Sequence, residues 1–154
     1  MDSHEFYIVE PAKLTFPTAG MSLQTRRNRL RKLVRAEGAE WVQIRMRGPE
    51  FLAAVEKLDS ALAGDDSLTN SVFENSPGQI LTIGSSQDYE PLFGYYEPER
   101  VRELDWKLRS IPNPVIEHWR AEPNADNLGR VLYAFRSTFA EAAKRGYAIA
   151  VEHQ

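Results

Sequence analysis

The chain has 154 residues, a length that suits one domain burying roughly 70% of the surface its unfolded form exposes, and its 42% apolar and 27% charged residues are a globular composition. The absence of cysteine excludes disulfides, thiol nucleophiles, iron–sulfur clusters and every cysteine-based zinc site. The net charge of −3 is unevenly spread, with nine Lys/Arg against five Asp/Glu in residues 1–48 and ten against seventeen in residues 49–154, so the halves either neutralise each other or meet a partner.

Glu5 to Val9 (EFYIV) is aromatic and branched and stops before Pro11, which reads as a strand. The following stretch, SLQTRRNRLRKLVRAEG, places Leu23, Leu30, Leu33 and Val34 on one stripe with basic residues mostly opposite. It predicts an amphipathic helix over 22–36 that ends at Gly38, a natural C′ residue. Trp41 to Met46 alternates, with Val42, Ile44 and Met46 on one face and Trp41, Gln43 and Arg45 on the other, as in a half-buried strand. Gly48-Pro49 opens a helix whose apolar positions are Phe51, Leu52, Val55, Leu58 and Leu62, closed by Gly64.

Between Asp65 and Glu90 the reading is a short capped helix through Phe73, a turn at Ser76-Pro77-Gly78, a short strand QILTI over 79–83, and a loop GSSQDYE over 84–90. Pro98 then opens a helix with Glu97 and Glu99 at the positive end of its dipole. Val101, Leu104, Leu108 and Ile111 form its apolar stripe, and Trp106 falls on the opposite side. Asn113 is read as the cap of a short helix PVIEHWRA, and Pro123-Asn124 as the start of a long one with a core face of Leu128, Val131, Leu132, Phe135 and Phe139. Gly146 ends it, and Tyr147 to Glu152 reads as a final strand. Strands near both ends with helices between them predict a single compact α+β domain spanning 1–154.

Arg26, Arg27, Arg29, Arg31, Lys32 and Arg35 fall within ten residues containing no acid, a face of the kind that displaces phosphate counterions on nucleic acid. The competing reading is a solvated helix that pairs with the acidic remainder of the chain. His4, His118 and His153 are isolated in sequence, and no metal-ligand spacing, phosphate-binding glycine loop or nucleophile elbow is present, so neither metal nor cofactor is expected. Asp88, Tyr89 and Glu90, followed by Tyr95, Tyr96 and Glu97, are the one cluster of acids and phenols. The loop from Gln87 to Glu97 that carries this cluster, with Trp106 beside it, is the expected binding surface, because Tyr and Trp dominate interface hot spots. Carboxylate chemistry around 88–97 is the enzymatic alternative. No apolar run reaches membrane-spanning length, and the start MDSHEFYIVEPAK lacks the basic and apolar regions of a signal peptide, so a soluble, cytoplasmic protein without membrane contact is expected.

The run GYYEPERVRELDWKLRSIP resembles the turn-and-helix segment of the bacterial YfbM-like family, in which an aromatic precedes a Thr-Pro-Glu-Glu-Val-like helix start, here Pro98, Glu99 and Val101. SLTNSVFENSPGQI and LYAFRSTFAEAAKRGYAIAV are similar to that family's preceding segment and to its final helix, glycine break and closing strand, so the resemblance covers about residues 50 to 152. It implies a compact α+β domain of bacterial origin and transfers no activity. The resulting expectation is a non-enzymatic accessory or protein-interaction domain with a protein partner, the alternatives being a nucleic-acid-associated protein using the basic helix and a small carboxylate enzyme.

Overall fold

The computed structural model describes residues 2–17, 19–62, 68 and 93–154, the side chains of Leu23, Gln24, Arg27 and Phe93 excepted. The elements are β1 (Ser3–Val9), a 3-10 turn (Pro11–Leu14), α1 (Leu23–Glu37), β2 (Ala39–Arg45), α2 (Gly48–Ser60), β3 (Phe93–Tyr96), α3 (Pro98–Arg109), α4 (Asn113–Trp119), α5 (Ala125–Arg145) and β4 (Ala148–His153). The strands form one antiparallel sheet in the order β2-β1-β4-β3. The fold is therefore α+β, as the sequence pattern implies.

Side-chain alternation along the central strands sorts the interior into two layers. Phe6 and Ile8 of β1, Ile149 and Val151 of β4, Ile44 of β2 and Tyr96 of β3 join the cores of α2, α3, α4 and α5 on one face. Tyr7, Val9, Ala148, Ala150 and Tyr95 face the other way, toward Leu30 and Val34 of α1 and Leu14 of the 3-10 turn. Every residue of β4 is buried, because this strand is paired on both edges and covered on both faces.

The long helix α5 supplies the keel of the larger layer. Its stripe of Leu128, Val131, Leu132, Phe135, Phe139 and Ala142 is buried, and the Phe135 and Phe139 rings meet Phe6 and Tyr96 edge-on at centroid distances of 5.2 and 5.0 Å. Such aromatic pairs are worth about 0.5–1.5 kcal/mol each beyond the area they bury. Gly146 ends α5 at φ 72°, where a side chain would be strained.

Four local expectations are corrected. Gly38 does end α1, but as its C-cap with φ −85° and not as a C′ residue in the left-handed region; a Cβ there would lie 2.6 Å from the Val34 carbonyl oxygen, and close approach is what requires glycine. Asn113 is the first helical residue of α4 and caps nothing, the N-cap position being Pro112. The strict alternation over 41–46 fails at Trp41: Tyr7 pairs with Glu40 and Phe6 with Val42, so a bulge leaves Trp41 without a β1 partner. That bulge re-aims its indole toward α5, where Nε1 donates to Ser137 Oγ at 2.9 Å and Arg145 lies over the ring. Finally, FGYY is itself strand β3 rather than a loop. The helix, turn, strand and loop expected over 65–90 lie outside the described residues, apart from helical, buried Leu68.

Helix starts are held by distant or local oxygens. Ser22 Oγ accepts from the Thr25 N–H at 3.2 Å at the start of α1, and Asp2 Oδ2 accepts from the Gly48 N–H at 2.6 Å at the start of α2.

Candidate functional site

The expected binding residues separate once β3 is in place. Tyr96 is 1% exposed; its hydroxyl donates to the Leu68 carbonyl at 2.8 Å, and the Leu68 N–H donates to buried Asp59 Oδ1 at 3.2 Å. Complete burial raises its pKa well above that of a free phenol. Tyr95 points to the opposite layer, also buried, and burial with the nearby Glu97 charge pushes its pKa up to about 12. Neither tyrosine faces solvent, so the tyrosine pair does not form a ligand platform: successive residues of a strand alternate faces, and both faces here are covered. Asp88, Tyr89 and Glu90 lie outside the described residues.

Among the expected binding residues that are described, Trp106 is the one at the surface, 64% exposed. It belongs to a stripe of α3 formed by Arg102, Asp105, Trp106 and Arg109, whose spacing of three and four residues places them on one side of a helix. The apolar stripe of Val101, Leu104 and Leu108 beside it is buried against the core and fixes the rotation of α3. Across from this stripe, α5 presents Ala140, Ala143 and Lys144, and the two helices enclose a shallow groove of about 580 Å³. Small residues on α5 leave the space that the large residues on α3 wall off. Arg136 ties the helices together by donating from Nε and Nη2 to the Leu108 carbonyl at 3.1 and 2.9 Å.

The groove is cationic. Arg109 pairs with Asp105 Oδ2 at 3.2 Å, whereas Arg102 and Lys144 have no ion-pair partner among the described residues. Three positive side chains therefore surround one negative one. Asp105 Oδ1 is buried and accepts no hydrogen bond from the described residues. Sequence inspection singled out Trp106 but missed Arg102, Arg109, Ala140, Ala143 and Lys144. The helical spacing from 102 to 109 was a usable signal; the α5 contribution was not, because only the packing of the two helices brings it near.

The basic helix is partly consumed by its own fold. Glu152, 1% exposed on β4, accepts from Arg35 Nε at 3.0 Å and from Nη2 at 2.6 Å, and Arg31 approaches it at 3.8 Å. Burial pushes the Glu152 pKa up despite both guanidinium groups, while Arg35, with a half-exposed side chain, is held more firmly charged by the carboxylate. The asymmetry follows from water: Glu152 has lost its hydration and Arg35 has not. Arg29 sits over the Phe16 ring, and Arg26 Nε donates to the Met21 carbonyl at 3.3 Å. Lys32 is exposed, and the Arg27 side chain lies outside the described ones.

On the other face of the same sheet end, His4 and His153 are buried cross-strand partners with Nδ1 atoms 2.6 Å apart. His4 Nε2 lies 2.9 Å from the Met46 carbonyl and so carries a proton, which leaves Nδ1 to accept from His153. The His4 ring stacks on Phe51 at 3.9 Å, and burial lowers its pKa. Among the described residues, no three His, Asp or Glu side chains are grouped as metal ligands, and no helix is long and apolar enough to cross a membrane.

The fold and groove define an α+β domain with a cationic, tryptophan-walled cleft between two helices. Comparison with protein-family models, with curated proteins and with solved structures returns no match.

Proposed function

We propose that this chain is a cytoplasmic, non-enzymatic protein-interaction domain that engages its partner through the groove between α3 and α5. The observation that carries the reading is Trp106: a large aromatic side chain at the surface of a helix, in a groove also lined by two alanines and by two cations without ion-pair partners among the described residues. Aromatic and arginine side chains at a concave site are the usual energetic centre of a protein interface. The helix pair beneath is packed and tied by Arg136, so the site is preorganised and binding orders few groups. The YfbM-like resemblance over residues 50 to 152 supports the same compact framework and transfers no activity. Nucleic-acid binding through α1 is the weaker alternative, since Glu152 already engages two of its arginines.

The test compares proteins recovered from cells with the tagged full chain, with Trp106→Ala and with Tyr133→Ala. Tyr133 is an exposed aromatic that does not line the groove. Loss of a defined set of partners in Trp106→Ala and its retention in Tyr133→Ala is expected. Recovery of the same set with all three proteins would refute the placement of the surface.

A further inference from the structure

Resting on the groove as the binding surface, we infer that its occupant is a short acidic peptide segment carrying an apolar side chain between its carboxylates. Three features select this ligand. The first is charge: Arg102, Arg109 and Lys144 line the groove with Asp105 as its one acid, and among the described residues only Arg109 is paired, which leaves Arg102 and Lys144 for incoming anions. Complementary charge of this kind sets partner choice and speeds encounter. The second is polarity: Trp106, Ala140 and Ala143 line the groove together with the cations, an apolar lining suited to one apolar side chain flanked by charge.

The third feature separates a peptide from a nucleic acid. Asp105 lines the groove, its carboxylate held by Arg109 at 3.2 Å. A peptide supplies backbone N–H groups, whereas a phosphodiester backbone brings acceptors only and would meet the Asp105 charge with like charge. The length also fits. From Arg102 to Arg109 the helix rises about 10 Å at ~1.5 Å per residue, which roughly three extended residues span at ~3.3 Å each.

The experiment selects a displayed library of random decapeptides on the full-length chain, with Trp106→Ala as the counter-selection. Enriched peptides are then resynthesised with Glu and Asp replaced by Gln and Asn. The inference predicts sequences with at least two acids flanking Leu, Ile, Phe or Trp. Their affinity should fall by more than about tenfold in Trp106→Ala, the size of a hot-spot loss. A comparable fall is expected in Arg102→Glu/Lys144→Glu, on amidation of the peptide acids, and on raising salt. Circular dichroism establishes that each variant is folded.

Peptides that need Trp106 but bind equally well after amidation would overturn the acidic occupant and leave the interaction surface standing. If no enriched peptide depends on Trp106, the surface itself is refuted. A twenty-residue oligothymidylate that binds in a Trp106-dependent manner and displaces the peptides would overturn the choice of peptide over nucleic acid.

Discussion

Removing either partner of the Arg35–Glu152 pair should have unequal consequences. Arg35→Ala deletes both hydrogen bonds to a carboxylate that is 1% exposed, leaving it only Arg31 at 3.8 Å. Hydrogen bonds to charged groups contribute about 1.5–3 kcal/mol. With the half-exposed Arg35 discounted for solvent screening and Arg31 remaining, a loss of about 2 kcal/mol at pH 7 is expected. Glu152→Gln removes the buried charge, keeps an acceptor for Arg35, and leaves that guanidinium hydrated; its cost should stay within about 1 kcal/mol, because the desolvation penalty disappears with the charge. In the Glu152→Gln background, Arg35→Ala should then cost about 1 kcal/mol less than in the native chain.

The pH dependence has a defined sign. The folded state raises the Glu152 pKa above 4.5, so it binds this proton more tightly than the unfolded chain does. This site's contribution is fully present below 4.5 and is lost as pH rises through the folded pKa. Urea unfolding followed by far-ultraviolet circular dichroism, with unchanged slopes, supplies the numbers. Equal costs for Arg35→Ala and Glu152→Gln, or the same cost of Arg35→Ala in both backgrounds, would refute the reasoning.

Three further outcomes follow from the geometry. Tyr96→Phe strips the donor from the buried Leu68 carbonyl and should cost about 1–2 kcal/mol in the same unfolding assay. His4, with Phe51, Met46, His153 and Asp2 around it, has a folded pKa below the unfolded 6.5, so stability should be full above that pH and decline as pH falls through it; in midpoints measured from pH 8 to 5, His4→Phe should reduce the decline. Gly146→Ala, at φ 72° with open space around it, should cost about 1 kcal/mol through backbone strain alone, while Trp106→Ala should stay within about 0.5 kcal/mol, both read from urea midpoints.

The core was legible where periodicity is strong. The α5 stripe from Leu128 to Phe139 and the α3 stripe from Val101 to Leu108 could be read because one face of each helix meets the sheet and the other meets water. Trp41 was misread because a bulge depends on its pairing partner, Tyr7, which no local pattern reveals. Tyr95 and Tyr96 were misread for a related reason: a four-residue strand has too few positions to show alternation, and its two covered faces come from elements distant in sequence. Half of the groove was visible as the Arg102–Arg109 spacing, and the other half required the docking of α5.

The most direct test of the central claim is an NMR titration of the ¹⁵N-labelled, alanine-methyl-labelled chain with an acidic peptide of sequence Asp-Glu-Leu-Glu-Asp. The account predicts shifts of the Trp106 indole N–H and of the Ala140 and Ala143 methyls, with the buried Trp119 indole unmoved. Shifts confined to α1, or none at the groove at millimolar peptide, would contradict it.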